Sequence, residues 1–457
     1  MQNLNSYWRR SIDTLGLVGV IATLVLLPLD RLPYAHHIPF SLGFISLVVL
    51  LLATAGRLFD RCLEKDWAQL KRYLFVGLLI ALPAIGYLVS ITYAIDRAFA
   101  LSATKLLLAV VLRAFCFFVL ISETPALWGT IKKTIYIVTG AVIGFGLFQY
   151  FFDVFGASQH ITDLRSCCTS NSTYVFPRVH STALEPLYLD HYLMIPLWLL
   201  TFDFWRDKAT RKNKLLLALF IGTATIFILT VARSATISLI LAAAIFYAGA
   251  RKAHDFKKFF KYMLKAWGSA VLLAAVLVLI SGIAAIFIPK NSIHHNSGVG
   301  SLGLFGSHAV SIDDGSAKTR YSLWPKAIGY IEEKPLQGVG AYNSRIRLNL
   351  SQYKQGAEPS GLQPFNNDLL GILVDLGLLG ILVFGPLFVA LTLIVYRLYK
   401  SEWQATTAPL ALALIAMLLQ SNFFHSLLLT RLWVVIGLLL PLLYISPLEQ
   451  KILGHKK

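Results

Sequence analysis

The chain has 457 residues, of which 56% are hydrophobic and only 14% charged, with a mean hydropathy of +0.66. Soluble globular proteins carry roughly 25% charged residues, so this composition excludes that class. The 41 Lys and Arg against 23 Asp and Glu give a net charge of +18; in a membrane chain such an excess reports loops that face anionic lipid, and it supports no nucleic-acid partner.

Near the N-terminus, residues 1–10 lead into a long apolar run with no small-residue cleavage site before Leu26, so the first span is expected to stay as an anchor. Apolar stretches long enough to cross about 30 Å of hydrocarbon begin near residues 13, 38, 74, 99, 134, 184, 213, 234, 266, 378, 406 and 426. The expected fold is therefore an all-α polytopic membrane protein of about twelve transmembrane helices, one transmembrane helical domain over residues 1–457.

Short-loop cations set the orientation. Arg57, Arg61, Lys65, Lys71 and Arg72 lie in one loop, Arg206, Lys208, Arg211, Lys212 and Lys214 in a second, and Arg251, Lys252, Lys257, Lys258, Lys261 and Lys265 in a third. All three fall on the same side as both termini, and the positive-inside rule makes that side cytoplasmic. The outer side then holds residues 30–37, 156–183, 231–234, 421–425 and the long stretch 290–366, between the ninth and tenth spans. A structureless loop of that length is unusual, so it should carry elements of its own. Residues 291–317 are rich in Gly and Ser and read as a flap. Leu323, Ala327, Ile328 and Ile331 recur at helical spacing before Pro335 and read as a surface helix covering the site.

Four cysteines, Cys62, Cys116, Cys167 and Cys168, are too few and scattered for a disulfide framework or a zinc site, and the vicinal pair at 167–168 reads as structural. None of the eleven histidines has zinc-ligand spacing, so no metal and no cofactor is expected. Lys105, Arg113, Asp190, Asp375 and Arg431, in or near spans, read as groups that fix the bundle.

Arginines on the outer side stand apart. Arg178 precedes the sixth span in RVHSTALEP, Arg233 sits in the tight turn LTVARSATISL, and Arg320 opens TRYSLWPKAIGYIEEKPLQGVGAYN. Arg holds phosphate oxygens through paired donors and keeps its charge at any working pH, so three of them on one membrane side point to a lipid-linked diphosphate. Any one of them taken alone is equally well read as snorkelling to headgroups or pairing with a carboxylate. Glu185, before Pro186 at a helix start, is favoured as an ionised acceptor of hydrogen bonds. His180 and His425 are placed to reach an outer-side site, or to act as hydrogen-bonded interfacial residues. Trp324 and the tyrosines 174, 330, 342 and 353 suit either sugar stacking or membrane-interface anchoring.

At these residues the chain resembles the O-antigen ligase and O-antigen polymerase superfamily of bacterial inner-membrane glycosyltransferases. Arg178, Ser181 and Pro186, with Glu185 at a position often Asn or Glu, resemble its approach to a central span; Arg233 resembles its Ser-Arg turn. Arg320, Trp324, Pro335, Gly338 and Gly340 resemble its large-loop pattern, and NNDLLGILVDLGLLG, residues 366–380, its His-Asn helix followed by Gly-x-x-Gly. Asn366 stands where that family often has His, which favours the polymerase branch and leaves the catalytic base unassigned.

The resemblance implies transfer of a glycan from an undecaprenyl-diphosphate carrier to a glycan hydroxyl at the periplasmic face of the inner membrane, the loop 290–366 being periplasmic. Its partners would be the lipid-linked glycan donor, the glycan acceptor, membrane lipid and a chain-length regulator. Arg178, Arg233, Arg320 and Glu185 would be the catalytic groups, and Asn366, Asn367, Trp324, His180 and His425 would bind substrate. The other readings are an O-antigen ligase acting on lipid A core, a protein O-oligosaccharyltransferase, and, from another class, a polytopic transporter or flippase.

Overall fold

A computed structural model describes residues 2–29, 37–154, 179, 181–183, 186–250, 256–287, 315–351, 365–401, 403 and 406–444. The described residues form helices joined by turns. In chain order these are α1 (Gln2–Leu26), α2 (His37–Leu63), α3 (Trp67–Ser90), α4 (Arg97–Glu123), α5 (Leu127–Val154), α6 (Pro186–Arg206), α7 (Lys214–Leu229), α8 (Arg233–Ala250) and α9 (Phe256–Phe287). After these come α10 (Gly315–Glu333), α11 (Ser344–Leu348), α12 (Asp368–Leu376), α13 (Leu378–Lys400), α14 (Ala408–Gln420) and α15 (Thr430–Leu439).

Among the described residues, eight helices are long and apolar enough to cross a membrane. Helices α7 and α14, and α15 with its continuation to Leu443, are apolar but shorter, and α6 carries Asp190, His191, Asp203 and Arg206 within its run. These four account for the difference from the twelve spans expected. The outer faces agree with a lipid surround: Leu74 is 74% exposed, Leu215 77% and Leu272 66%, exposures that water would penalise over so many large apolar side chains. The chain is a multi-pass membrane protein.

The described chain divides into two compact units. The first comprises Met1–Val20, Ser46–Leu127 and Ile312–Lys457. In it α15 lies against α4 so closely that a Cβ on Gly437 would come within 2.3 Å of the Ala114 carbonyl oxygen; without a hydrophobic driving force inside lipid, such backbone approach is what holds helices together. Asp66 and Asp96 cap α3 and α4 by accepting the main-chain N–H of Gln69 and Phe99. The basic loop of this unit is ion-paired: Arg57 meets Asp13, and Arg61 forks onto Glu123 through two bonds of 2.9 and 2.7 Å.

The second unit comprises Ile21–Ile45 and Trp128–Ser311. Its centre is α6, buried without a break from Tyr188 to Leu200, with Asp190 and His191 inside that stretch. Asp190, fully buried, accepts the Thr230 hydroxyl at 2.6 Å. Rings of Phe202, Trp205, Phe246 and Phe259 close the end of α6 in edge-on and tilted contacts of 5.1–6.5 Å.

Candidate functional site

In the first unit, positions 323–331, which recur at helical spacing, lie on α10. Leu323 and Ala327 are buried, in a cluster with Val339, Phe365 and Val374, and Ile331 packs against it. Ile328, expected on the same apolar face, is 52% exposed instead. It lies one position beyond Ala327, where the helix turns away from its support.

After α10 the chain passes through Pro335-x-x-Gly338-x-Gly340 and lies against the C-terminal end of α12. Val339 N–H donates to the Val374 carbonyl at 3.0 Å, Gly340 N–H to the Asp375 carbonyl at 2.8 Å, and Leu378 N–H to the Pro335 carbonyl at 2.8 Å. Both glycines have positive φ, +67° and +99°. A Cβ on Gly338 would stand 2.5 Å from the Asp375 carbonyl, and one on Gly340 2.4 Å from Ala94 Cα. The motif thus permits backbone-on-backbone docking. Its far side is tied by Asn343, whose Oδ1 accepts the Asp96 N–H at 2.7 Å, and by Ser90, whose hydroxyl oxygen accepts the Ala341 N–H at 2.8 Å.

Two carboxylates of α12 hold the neighbouring loops. Asp375, 1% exposed, accepts Tyr342 N–H on one oxygen at 2.9 Å and Ser344 N–H on the other at 2.7 Å. Burial pushes its carboxyl up to about 7, against the opposing pull of the Ser344 bonds, of His425 and of Tyr342 N–H. The expectation that Asp375 fixes the bundle is refined by these bonds: it fixes the loop after the glycine motif. Asp368, two turns earlier on the same face of α12, meets His425 Nδ1 at 2.6 Å with one oxygen and accepts the Ser426 main-chain N–H and hydroxyl at 3.0 and 2.7 Å with the other. Tyr342, at φ +60°, lays its ring on the imidazole of His425, 4.5 Å between centroids and 8° between planes.

Asp368 also lines a cleft of about 400 Å³ walled by apolar side chains of α12 to α15, among them Phe384, Leu387, Leu418 and Trp433, with Ser421 and Asn422 as further polar groups. An apolar cleft with a few convergent polar groups is the ordinary form of a small-molecule site. Here the polar part carries a carboxyl group that is tied to an imidazole.

In the second unit, Val179 N–H donates to the Leu229 carbonyl at 3.3 Å. Ser181, at φ +48°, bonds through its N–H to Gln149 Oε1 at 2.9 Å and through its hydroxyl to the Val142 carbonyl at 2.8 Å. The segment after Arg178 is therefore seated beside the turn that leads into Arg233. Arg233 itself is half-buried and opens α8, where the positive end of the helix favours anions.

The comparisons with known proteins bear on these same segments. A family model described as O-antigen ligase matches residues 217–385. The match supports the O-antigen ligase and polymerase superfamily. It covers less than half of the chain, and no curated protein matches the chain. A match of that kind supports a membrane glycosyltransferase of the ligase or polymerase type, with a glycan and a lipid-linked substrate in general. The O-antigen ligase match takes in Arg233, the glycine motif and both carboxylates of α12, and stops short of His425.

Of the residues singled out from sequence, Arg178, His180 and Glu185 lie outside the described residues, as do the Cys167-Cys168 pair and residues 291–314 of the flap expected at 291–317, whose last three residues belong to α10 instead. Arg320 is described by its main chain alone, in α10. Trp324, on the same helix, is 39% exposed. Asn366 is half-buried; Asn367 is buried and caps α12, its Oδ1 accepting the Leu370 N–H at 2.9 Å. Within the first unit His425 and Asn367 are brought to the same end of α12, through Asp368. Sequence reasoning missed Asp368. The signal available was a second carboxylate seven residues before Asp375, on one face of an otherwise apolar helix.

Proposed function

We propose that the protein polymerises undecaprenyl-diphosphate-linked oligosaccharide repeat units at the periplasmic face of the bacterial inner membrane, joining the glycan of one carrier to a sugar hydroxyl on another. The observation that carries this reading is the double role of Asp368, which lines an apolar cleft and holds an imidazole. A lipid-linked glycan has the matching form: an apolar chain that ends in a polar, hydroxyl-bearing head. Asn366, in the place often taken by His in the family, favours the polymerase over the ligase.

The anomeric diphosphate is the activated leaving group, so the protein must bind its growing negative charge, place an acceptor hydroxyl opposite it and exclude water. Arg233 and Arg320 take the diphosphate, and Arg178 the diphosphate or the acceptor. Glu185 and His180 orient the acceptor, and Trp324 offers a face to a sugar ring. Asn367 has committed its carbonyl oxygen to the helix cap, so of the asparagine pair Asn366 is the fuller contact for sugar or phosphate oxygens.

The deciding experiment is a strain deleted for this chain and complemented with it, its surface glycan resolved on a gel. A single repeat unit on the lipid core, restored to a ladder by the wild-type chain, establishes a polymerase. Core devoid of glycan, with long polymer held on the carrier, establishes a ligase. An unchanged pattern overturns both and leaves a transporter.

A further inference from the structure

The imidazole of His425 is held in a way that a core histidine does not require. Its Nδ1 meets Asp368 Oδ1 at 2.6 Å, its ring plane is fixed by Tyr342, and its side chain remains 11% exposed. A carboxylate on one ring nitrogen selects the tautomer with the proton there, so Nδ1–H donates to Asp368 and Nε2 carries the lone pair. Nε2 makes no hydrogen bond to any described residue, although Asp368 is fully engaged by His425 and Ser426. An aromatic ring clamped on one face, with a carboxylate behind it and a basic nitrogen unused in front, has the arrangement of a general base.

Resting on the glycosyl-transfer reading, we infer that His425 is the base of the reaction and Asp368 its positioning residue. Nε2 takes the proton of the acceptor hydroxyl as that oxygen forms its bond to the anomeric carbon. The bond from that carbon to the diphosphate breaks, and the carrier diphosphate leaves with the electron pair. The proton stays on His425 as imidazolium, whose Nδ1–H remains on the Asp368 carboxylate, and is returned to solvent or to the departing diphosphate. Ser426, bound to the second Asp368 oxygen, keeps the carboxylate from rotating away. The base thus comes from the turn between α14 and α15, outside the segment that matches the family.

The test uses the full chain in lipid nanodiscs, with a purified lipid-linked repeat unit as both donor and acceptor. Donor binding and single-turnover bond formation are measured separately. General-base removal costs typically 10²–10⁴ in rate, so His425→Ala is expected to lose at least about a hundredfold in turnover while donor binding stays within about twofold. Added imidazole should restore at least about tenfold of that loss. His425→Gln, which can still donate to Asp368 and preserves the fold of the turn, is expected to bind donor normally, to be as slow as the Ala variant and to gain nothing from imidazole, its own side chain filling the space. Turnover above a tenth of wild type in the Gln variant, or a folded Ala variant that imidazole does not rescue, overturns the assignment of the base and leaves the polymerase intact. A wild-type chain that forms no bond between two repeat units overturns the polymerase reading, and this inference with it.

Discussion

Tyr342 lies flat on His425, with 4.5 Å between ring centroids and 8° between ring planes. The two residues come from segments 83 positions apart, and each is held by a different end of the same short helix: Asp375 binds the Tyr342 main chain and Asp368 binds the His425 ring. Helix α12 is thus a ruler that sets one ring against the other. The stack itself contributes about 0.5–1.5 kcal/mol, and Tyr342 bears the cost of a left-handed backbone, about 1–3 kcal/mol, so the loop must be anchored independently by its glycine motif. Tyr342→Phe keeps the stack and is expected to keep turnover within about threefold. Tyr342→Ala frees the imidazole to rotate, and because misplacement of a reacting group by about 1 Å costs on the order of 10², turnover should fall by about ten- to a hundredfold. Polymer length on a gel, at matched membrane levels of the two variants, checks this.

Gly340 tests the anchor. A Cβ there meets Ala94 Cα and Cβ, both at 2.4 Å, on a residue already at φ +99°. Gly340→Ala should destabilise the docked loop by about 1–3 kcal/mol, seen as a lower unfolding temperature and faster proteolysis between α10 and α12. Adding Ala94→Gly removes the Cβ but leaves the Cα in place, so the second substitution should not restore stability. Recovery in the double variant would show that the side chain alone, and not the backbone, sets the spacing.

Asp375 gives a pH dependence whose sign comes from burial. Its carboxyl is pushed up to about 7 in the fold, from 3.8, so the folded chain holds a proton that the unfolded chain has released. The contribution of this group to stability is therefore complete below about pH 4 and is lost as pH rises toward and through 7. Asp375→Asn removes that slope. It also places an amide N–H₂ against one of the two main-chain N–H donors, at a cost of about 1–3 kcal/mol. The gap in unfolding temperature between wild type and Asp375→Asn should be wider at pH 5 than at pH 8; a constant gap sinks the argument.

Helix placement was legible in the sequence because apolar runs and their breaks are local. The expected starts at 99, 234 and 378 fall at the beginnings of α4, α8 and α13, and the buried face of α10 was visible in Leu323 and Ala327. The Pro335-Gly338-Gly340 spacing marked a tight turn without revealing its docking partner, since that partner, the end of α12, is decided by chain packing. The meaning of His425 depends on Asp368, 57 residues away, and no periodicity connects two polar residues with whole helices between them. Asn367 looked like a sugar contact because amides serve that purpose; its position immediately before an apolar helix was equally a capping signal, and the capping bond is what forms. Tyr342, a residue type suited to stacking on a sugar, stacks on the imidazole of His425.

The arginines supply the sharpest test of substrate charge. If Arg233 and Arg320 act on the diphosphate as charge builds, each removes about 2.7–4 kcal/mol from the barrier, the amount measured for a single oxyanion donor. Arg233→Ala and Arg320→Ala should then each lower turnover by about 10²–10³ with the chain inserted at normal levels. Lysine separates charge from geometry: a compact ammonium cannot fork onto two phosphate oxygens, so Arg233→Lys should recover only a minor part of the loss. Arg178→Ala distinguishes the two roles open to that residue. A rise in the acceptor concentration needed for half-maximal rate, with donor binding unchanged, assigns it to the acceptor; a loss of donor binding assigns it to the diphosphate. Full-length polymer from all three alanine variants at wild-type expression would remove the arginines from the reaction altogether. Because His425 acts on the acceptor proton and not on the leaving group, that result would leave the imidazole's role standing and require another cation for the diphosphate.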